Sequence, residues 1–404
     1  MKGSTKLFKI FGIDIKLHFS WWFIFALLAW SLSSAFFPQF YPDLSEKMYW
    51  MMGLSASLLL FVSVLLHELS HSLVAKAKNI RVDSITLFFF GGVAGIGDED
   101  MKPMDELQMA LAGPLFSLLL GGVFFLLYKF NGSFFLTAIS FYLYQLNLIL
   151  AIFNLVPGFP LDGGRAFRAI LYAHYKDLKK ATRIAVAGGK FFAGVLIFLG
   201  IFGLVTGTIN GVWFILLGGF LYFIAGVSYE QVVIKEVLKN VSIKEVMEKK
   251  IVKIDSKTDF DQALKKYYDV DQDVFVIMKG KQFMGLLDLK KIDKMGLNVQ
   301  HRIKVGQLVM PKSQIKGLKV KDNCYTAFKS MAEQDLGLIP VFSGDTLKGV
   351  VLKRILMHRL VLELKYNLSV NKAAFKDKRH RKKVARTVKR VQKKRAKKVV
   401  KKKK

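Results

Sequence analysis

The sequence predicts a polytopic α-helical membrane protein of about six transmembrane helices with a re-entrant or extended segment, followed by an α/β tandem repeat and a basic disordered tail. Three observations predict it. The 404-residue chain is 52% apolar, more than one or two soluble cores can bury, so lipid must cover part of it. The apolar residues, including most of the 35 Phe, crowd into the first 230 positions, and the remainder has soluble composition. Finally, a pattern of short strands and helices from about Val241 repeats once at an offset of 64 residues.

Six apolar runs are long enough, or nearly so, to cross a hydrocarbon core of about 30 Å: about 19 to 37, 50 to 75, 107 to 128, 134 to 156, 191 to 206 and 212 to 228. The fifth is the shortest. The first follows a basic lead and has no small-residue cleavage site, so it reads as a retained span rather than a signal peptide. Four Lys precede span one, four Lys and Arg lie between spans two and three, and seven lie between spans four and five. The opposite loops hold only Lys47 and Lys129, which predicts cytoplasmic termini in a cell membrane. His18 and Trp21-Trp22 read as interface anchors of span one. Residues 82 to 97 are apolar but too short to span, and Gly91-Gly92 after a β-branched stretch suggests an extended or re-entrant segment, or a hairpin at the interface.

The domains divide as a membrane-embedded domain at 1–230, one repeat at 241–300, a second at 301–365 and a basic tail at 371–404. In the repeats, FVIMKGKQFMGLLDLKKI around Gly280 and Gly285 aligns with IPVFSGDTLKGVVLKRIL around Gly344 and Gly349, and each has a Val-Met dipeptide ahead of it. The tail carries 19 Lys and Arg against one acid and reads as a solvated segment, suited to anionic lipid headgroups or to nucleic acid. Cys324 is the sole cysteine, which excludes an internal disulfide framework and a Cys-rich metal site.

Span two contains His67-Glu68-Leu69-Ser70-His71. Positions four apart share a helix face, so both imidazoles can reach one metal, with Glu68 beside it to activate water. Such groups are expensive inside an apolar span and are functional by default. His67 lies nine residues before Lys76, about 13 Å inside the cytoplasmic end. Zinc usually has three protein ligands. The other strong candidate at similar depth is Asp162, in the segment Asn154 to Arg165 at the cytoplasmic end of span four. There Pro and Gly break the helix and free a short carboxylate to turn inward. The alternative is that Asp162 merely caps a helix before Gly163.

HELSH within a span, the segment ending in FPLDGGR, and the intervening FFFGGVAGI and LAGP stretches resemble the site-2 protease family of intramembrane zinc metalloproteases. The β-β-α repeats resemble a tandem of cystathionine-β-synthase (CBS) domains, so the likeness is to the subgroup with a C-terminal CBS pair. It covers about residues 1 to 365. The resemblance implies one Zn2+ per chain held by His67, His71 and Asp162, with Glu68 as general base. It also implies that Asn154 and the Gly91-Gly92 segment engage the backbone of a transmembrane protein substrate, which is cut in or near its membrane segment. A CBS pair implies regulation, homodimerisation or adenine-nucleotide binding. This chain has Asp288 and Lys291 where nucleotide-binding members have Ser or Thr and Asp, which argues against ribose recognition. The rival readings are a CBS-regulated transporter or channel, and a silent membrane scaffold. Against the first, the polar residues form one cluster of metal-ligand spacing and the last two spans are free of charge.

Overall fold

The computed structural model describes residues 3–89, 91–96, 101–130, 132–207, 210–267, 272–294 and 303–366. The basic tail expected at 371–404 lies outside the described residues. Two compact units divide the chain at Val232 and Val233.

The first unit opens on strands β1 (Ser4–Ile10) and β2 (Ile13–His18). They form an antiparallel hairpin whose two turn residues, Phe11 and Gly12, have φ of 48° and 78°. That primed geometry follows the twist of the flanking strands. β3 (Val82–Phe88) runs parallel to β2 and pairs antiparallel with β4 (Gly91–Ile96), giving the order β1-β2-β3-β4. The extended segment around Gly91-Gly92 is therefore a hairpin, and it belongs to a larger sheet than the sequence reading expected. The basic lead conceals half of that sheet, because β2 finds β3 only after the chain has run through two membrane-length helices.

Among the described residues, six helices are long and apolar enough to cross a membrane. The first is α1 (Ser20–Ser31), continuing through a π turn at Leu32–Phe36 into α2 (Phe37–Phe40). Trp21 is not an interface anchor: it is buried against Phe61 and Leu87 and stacks on Phe25, while Trp22 stays exposed. The second, α3 (Glu46–Ala77), is 32 residues, about 48 Å at 1.5 Å per residue, longer than the bilayer core. Ser45 caps it by accepting from the Met48 N–H. Then come α4 (Pro103–Lys129), with Pro at its tolerated first position, and α5 (Phe134–Asn154), capped by Ser133.

A helix not anticipated from sequence, α6 (Asp162–Tyr175), follows; it is amphipathic and buries Gly163, Gly164, Ala166 and Ala169. α7 (Leu178–Val205) and α8 (Asn210–Lys239) complete the set. Both run past the apolar stretches that marked them, because the adjoining basic residues continue the helices. They cross closely: a Cβ at Gly200 would lie 2.6 Å from the Gly211 carbonyl oxygen, and one at Gly218 would lie 2.7 Å from that of Ala193. Small residues at helix crossings are the usual membrane solution. Phe191, Phe198 and Phe202 on α7 are 60 to 76% exposed, as expected of a face covered by lipid.

In the second unit the offset between the repeats holds element by element. β6 (Val274–Lys279) and β7 (Gln282–Asp288) correspond to β10 (Leu338–Ser343) and β11 (Thr346–Leu352). Ahead of them, α10 (Phe260–Lys266) corresponds to α12 (Cys324–Gln334); behind, α11 (Leu289–Lys294) corresponds to α13 (Lys353–Tyr366). Each repeat also begins with a short strand parallel to its first hairpin strand, β5 (Lys253–Asp255) on β6 and β9 (Leu318–Lys319) on β10.

The Val-Met segments cross over. After α9 (Ile243–Val246), Glu248 exchanges two backbone hydrogen bonds with Val350 of the second repeat. Conversely β8 (Met310–Pro311) pairs with β7 of the first. Gly349 and Gly285 make room for these crossings: a Cβ would sit 2.6 Å from Met247 Cγ at the former and 2.0 Å from the Met310 carbonyl oxygen at the latter.

Candidate metal centre

His67 and His71 lie one turn apart on α3, both buried, with ring planes 78° apart and Nε2 atoms separated by 3.1 Å. His71 Nδ1–H donates to the Met109 carbonyl at 2.6 Å. A carbonyl can only accept, so in the neutral imidazole Nε2 carries the lone pair. His67 Nδ1 is 2.8 Å from the Ser117 hydroxyl, which leaves its Nε2 facing the same point. Asp162 Oδ2 lies 3.1 Å from both Nε2 atoms. Two imidazole lone pairs and a carboxylate oxygen thus converge, an arrangement that repels itself unless a cation sits among them.

The set fits zinc. Two bonds of about 2.0 Å at the tetrahedral angle separate their ligand atoms by about 3.3 Å, close to the spacing seen, and two His with one carboxylate is a familiar catalytic zinc set. Among the described residues these three form the only group of metal-binding type.

Helix α4 assembles the site. Met109, Gly113 and Ser117 lie on one stripe of that helix, so its backbone and side chains address both rings in turn. At Gly113 a Cβ would lie 2.2 Å from His71 Nε2 and 2.5 Å from His67 Nε2, so only glycine leaves the donors open. Asp162 arrives from a separate helix. It is the first residue of α6, whose N-cap is Leu161 with no side-chain cap bond, so the carboxylate turns to the histidines rather than capping. The loop ahead of it is packed backbone to backbone. A Cβ at Gly164 would meet the Gly158 carbonyl carbon at 2.2 Å, and one at Gly189 of α7 would meet the Phe159 oxygen at 1.8 Å.

Glu68, half-buried, lies against β4, where a Cβ at Gly92 would lie 2.5 Å from Glu68 Cγ. The two neighbouring glycines serve different needs. Gly91 has open space but a φ of +124°, which L side chains rarely adopt, whereas Gly92 is required by contact. Asn154 ends α5, eight residues before Asp162, and is half-buried. The structure therefore brings together His67, His71, Glu68, Asp162 and the Gly92 strand. Sequence reasoning missed Ser117 and the Met109 carbonyl, and gave no role to Gly113 within the LAGP stretch; none has the usual side-chain chemistry of a zinc ligand.

The peptidase family M50 model matches residues 55–140 and 133–196. The zinc metalloprotease MJ0392 of Methanocaldococcus jannaschii is 31% identical over 380 residues, 91% of this chain and 99% of that protein. Rip3 of Mycobacterium tuberculosis is 32% identical over 252 residues, and the match spans 61% of this chain but only 64% of that relative's length. Among solved structures, a site-2 protease from Methanocaldococcus jannaschii is 35% identical, covering 55% of this chain and 94% of its own, at a TM-score of 0.38. A CBS-domain structure, CBSX2 in complex with AMP, covers 31% of this chain at 15% identity and a TM-score of 0.26.

The fold and the buried His-His-carboxylate centre define a polytopic membrane protein with a metal-binding core and a C-terminal tandem repeat. The chain belongs to peptidase family M50.

Proposed function

We propose that the protein is an intramembrane zinc metalloprotease that hydrolyses a peptide bond in or near a transmembrane segment of a membrane-anchored protein. The observation that carries this reading is the convergence of His67 Nε2, His71 Nε2 and Asp162 Oδ2 at mutual distances of 3.1 Å, with both histidines on a helix fit to span a bilayer. One zinc per chain held there would supply Lewis-acid polarisation of the scissile carbonyl and make water acidic enough to attack near neutral pH. Ser117 and the Met109 carbonyl keep both imidazoles oriented through Nδ1. Glu68 takes the proton from the attacking water and passes it to the leaving amine. A helical substrate hides its carbonyls in hydrogen bonds and must unwind first. Strand β4, at the end of its sheet beside Glu68, is suited to receive the unwound segment as an added strand, with Asn154 holding its backbone.

The same reading places both termini and the second unit in the cytoplasm, on the strength of the Lys and Arg distribution. Regulation by the repeat pair is part of the proposal. Its cleft of about 470 Å3 is lined by Asp273, Asp288, Lys290, Lys291, Lys353 and Arg354, among others. Asp288 accepts from the Lys290 and Lys291 N–H groups through Oδ1, which commits that oxygen to the start of α11. The deciding experiment is cleavage of a transmembrane-helix reporter by the purified protein in liposomes, with bound zinc quantified in the same samples. Glu68→Gln is expected to keep about one zinc and lose about 10²- to 10⁴-fold in rate. A wild type without zinc, or a Glu68→Gln variant of undiminished rate, rejects the assignment.

A further inference from the structure

Two of the three donors share helix α3, so the helix itself sets their spacing. Asp162 comes from another helix after a loop, and its distance must be fixed by something else. Glu106 and Arg168 stand where that could be done. Arg168 lies on α6, six residues beyond Asp162, about 9 Å along the axis. Its Nε donates to Glu106 Oε1 at 3.0 Å and its Nη2 donates to the same oxygen. Glu106 is buried, with 5% of its side chain exposed, and Arg168 nearly so, at 14%.

Glu106 is on α4, one turn before Met109, whose carbonyl orients His71. The guanidinium also lies 4.9 Å from the centre of the Phe159 ring, in the loop that delivers Asp162. Arg168 thus grips the chain on both sides of Asp162 and ties it to the stripe of α4 that holds the histidines. By contrast Lys78–Asp105, the neighbouring pair at the same end of α4, is 34% and 24% exposed and reaches no part of the Asp162 loop.

Resting on the reading of His67, His71 and Asp162 as zinc ligands, we propose that the buried Glu106–Arg168 pair positions Asp162 against the histidines and so sets zinc affinity. A buried pair is weak evidence of stabilisation in itself, since desolvation opposes attraction. Its geometry nevertheless fixes two helices in register, and outer-shell partners of metal ligands typically change affinity by about 10- to 100-fold.

The test uses the full chain in detergent, with zinc affinity measured by chelator competition and the metal-free protein melted in parallel. Glu106→Gln and Arg168→Gln should each weaken zinc by about 10- to 100-fold, and Arg168→Lys, which keeps the charge but loses the planar fork, by less. The double Glu106→Gln/Arg168→Gln variant leaves no unpaired buried charge and should be no weaker than the worse single variant. The metal-free double variant should melt within a few degrees of wild type, whereas each single variant strands a charge and should melt lower. Wild-type affinity in the single variants overturns the proposal. So does a double variant whose metal-free melting loss parallels its affinity loss, which assigns the pair to holding the bundle. A wild type that binds no zinc instead overturns the metal reading beneath it.

Discussion

Replacing Gly113 by Ala tests the metal centre at its tightest point. The new Cβ would lie 2.2 Å from His71 Nε2 and 2.5 Å from His67 Nε2, where ordinary contact begins at 3.4 Å. The rings cannot swing aside freely, because their Nδ1 atoms are tied to the Met109 carbonyl and Ser117. Nor can α4 withdraw without breaking both ties, which stand one turn before and one turn after Gly113. Loss of two hydrogen bonds is worth about 1 to 3 kcal/mol. If the rings yield instead, they must move by roughly half the length of a zinc–nitrogen bond of about 2.0 Å before ordinary contact is restored. By either route zinc affinity should fall at least about 10- to 100-fold. The helix itself gains, since Ala is favoured over Gly by about 0.8 to 1.0 kcal/mol in a helix interior, so the metal-free protein should melt no lower than wild type. The assay is chelator competition with metal quantification, beside a metal-free melt. A Gly113→Ala protein that holds zinc as tightly as wild type refutes the reasoning.

Gly92→Ala presses a methyl group onto Glu68 Cγ at 2.5 Å and should lower reporter cleavage by about 10²-fold while zinc content stays whole; loss of zinc would show that β4 supports the metal instead. Gly285→Ala would put Cβ 2.0 Å from the Met310 carbonyl oxygen, and forcing β8 off β7 should destabilise the second unit by about 1 to 3 kcal/mol, read as a lower melting transition. Burial pushes the Cys324 thiol up to about 12 from an ordinary 9.0, so it stays protonated in the folded state. As the sole cysteine it should resist alkylation at pH 8 until the second unit unfolds. The folded value is the raised one, so the contribution to stability is whole below pH 9 and declines as pH rises towards 12. Rapid native alkylation would contradict the burial.

The six spans were legible because each keeps an apolar run of membrane length, and the site because His67, His71 and Asp162 carry unusual chemistry at matched depth. The repeat was legible because its elements recur in the same order at one constant offset. What escaped was encoded elsewhere. The β1-β2 hairpin carries Lys6, Lys9 and Lys16, which read as a basic lead, and it becomes part of a sheet only through β3, a partner far along the chain. α6 is only 14 residues long and includes Asp162, Arg165 and Arg168, so no span-length apolar run marks it, and its start coincides with a Pro-Gly loop that reads as a stop. Trp21 looked like an anchor because its type favours interfaces, yet Phe61 and Leu87 offer it a buried place. The Met109 carbonyl has no signature at all in a sequence, and Ser117 within an apolar run reads as a small packing residue.

The exchange of edge segments between the two repeats has a consequence for how this part of the chain could be divided. Glu248, from the start of the first repeat, pairs with the hairpin of the second, and Met310–Pro311, from the start of the second, pairs with that of the first. A cut between them therefore yields two fragments, each with a bare sheet edge and a stray strand that fits the other. A lone repeat would own both halves of this fastening and could close it only on a second copy of itself. In that sense the tandem is a dimer written on one chain, with the linker making permanent an association that separate copies would have to reach by concentration.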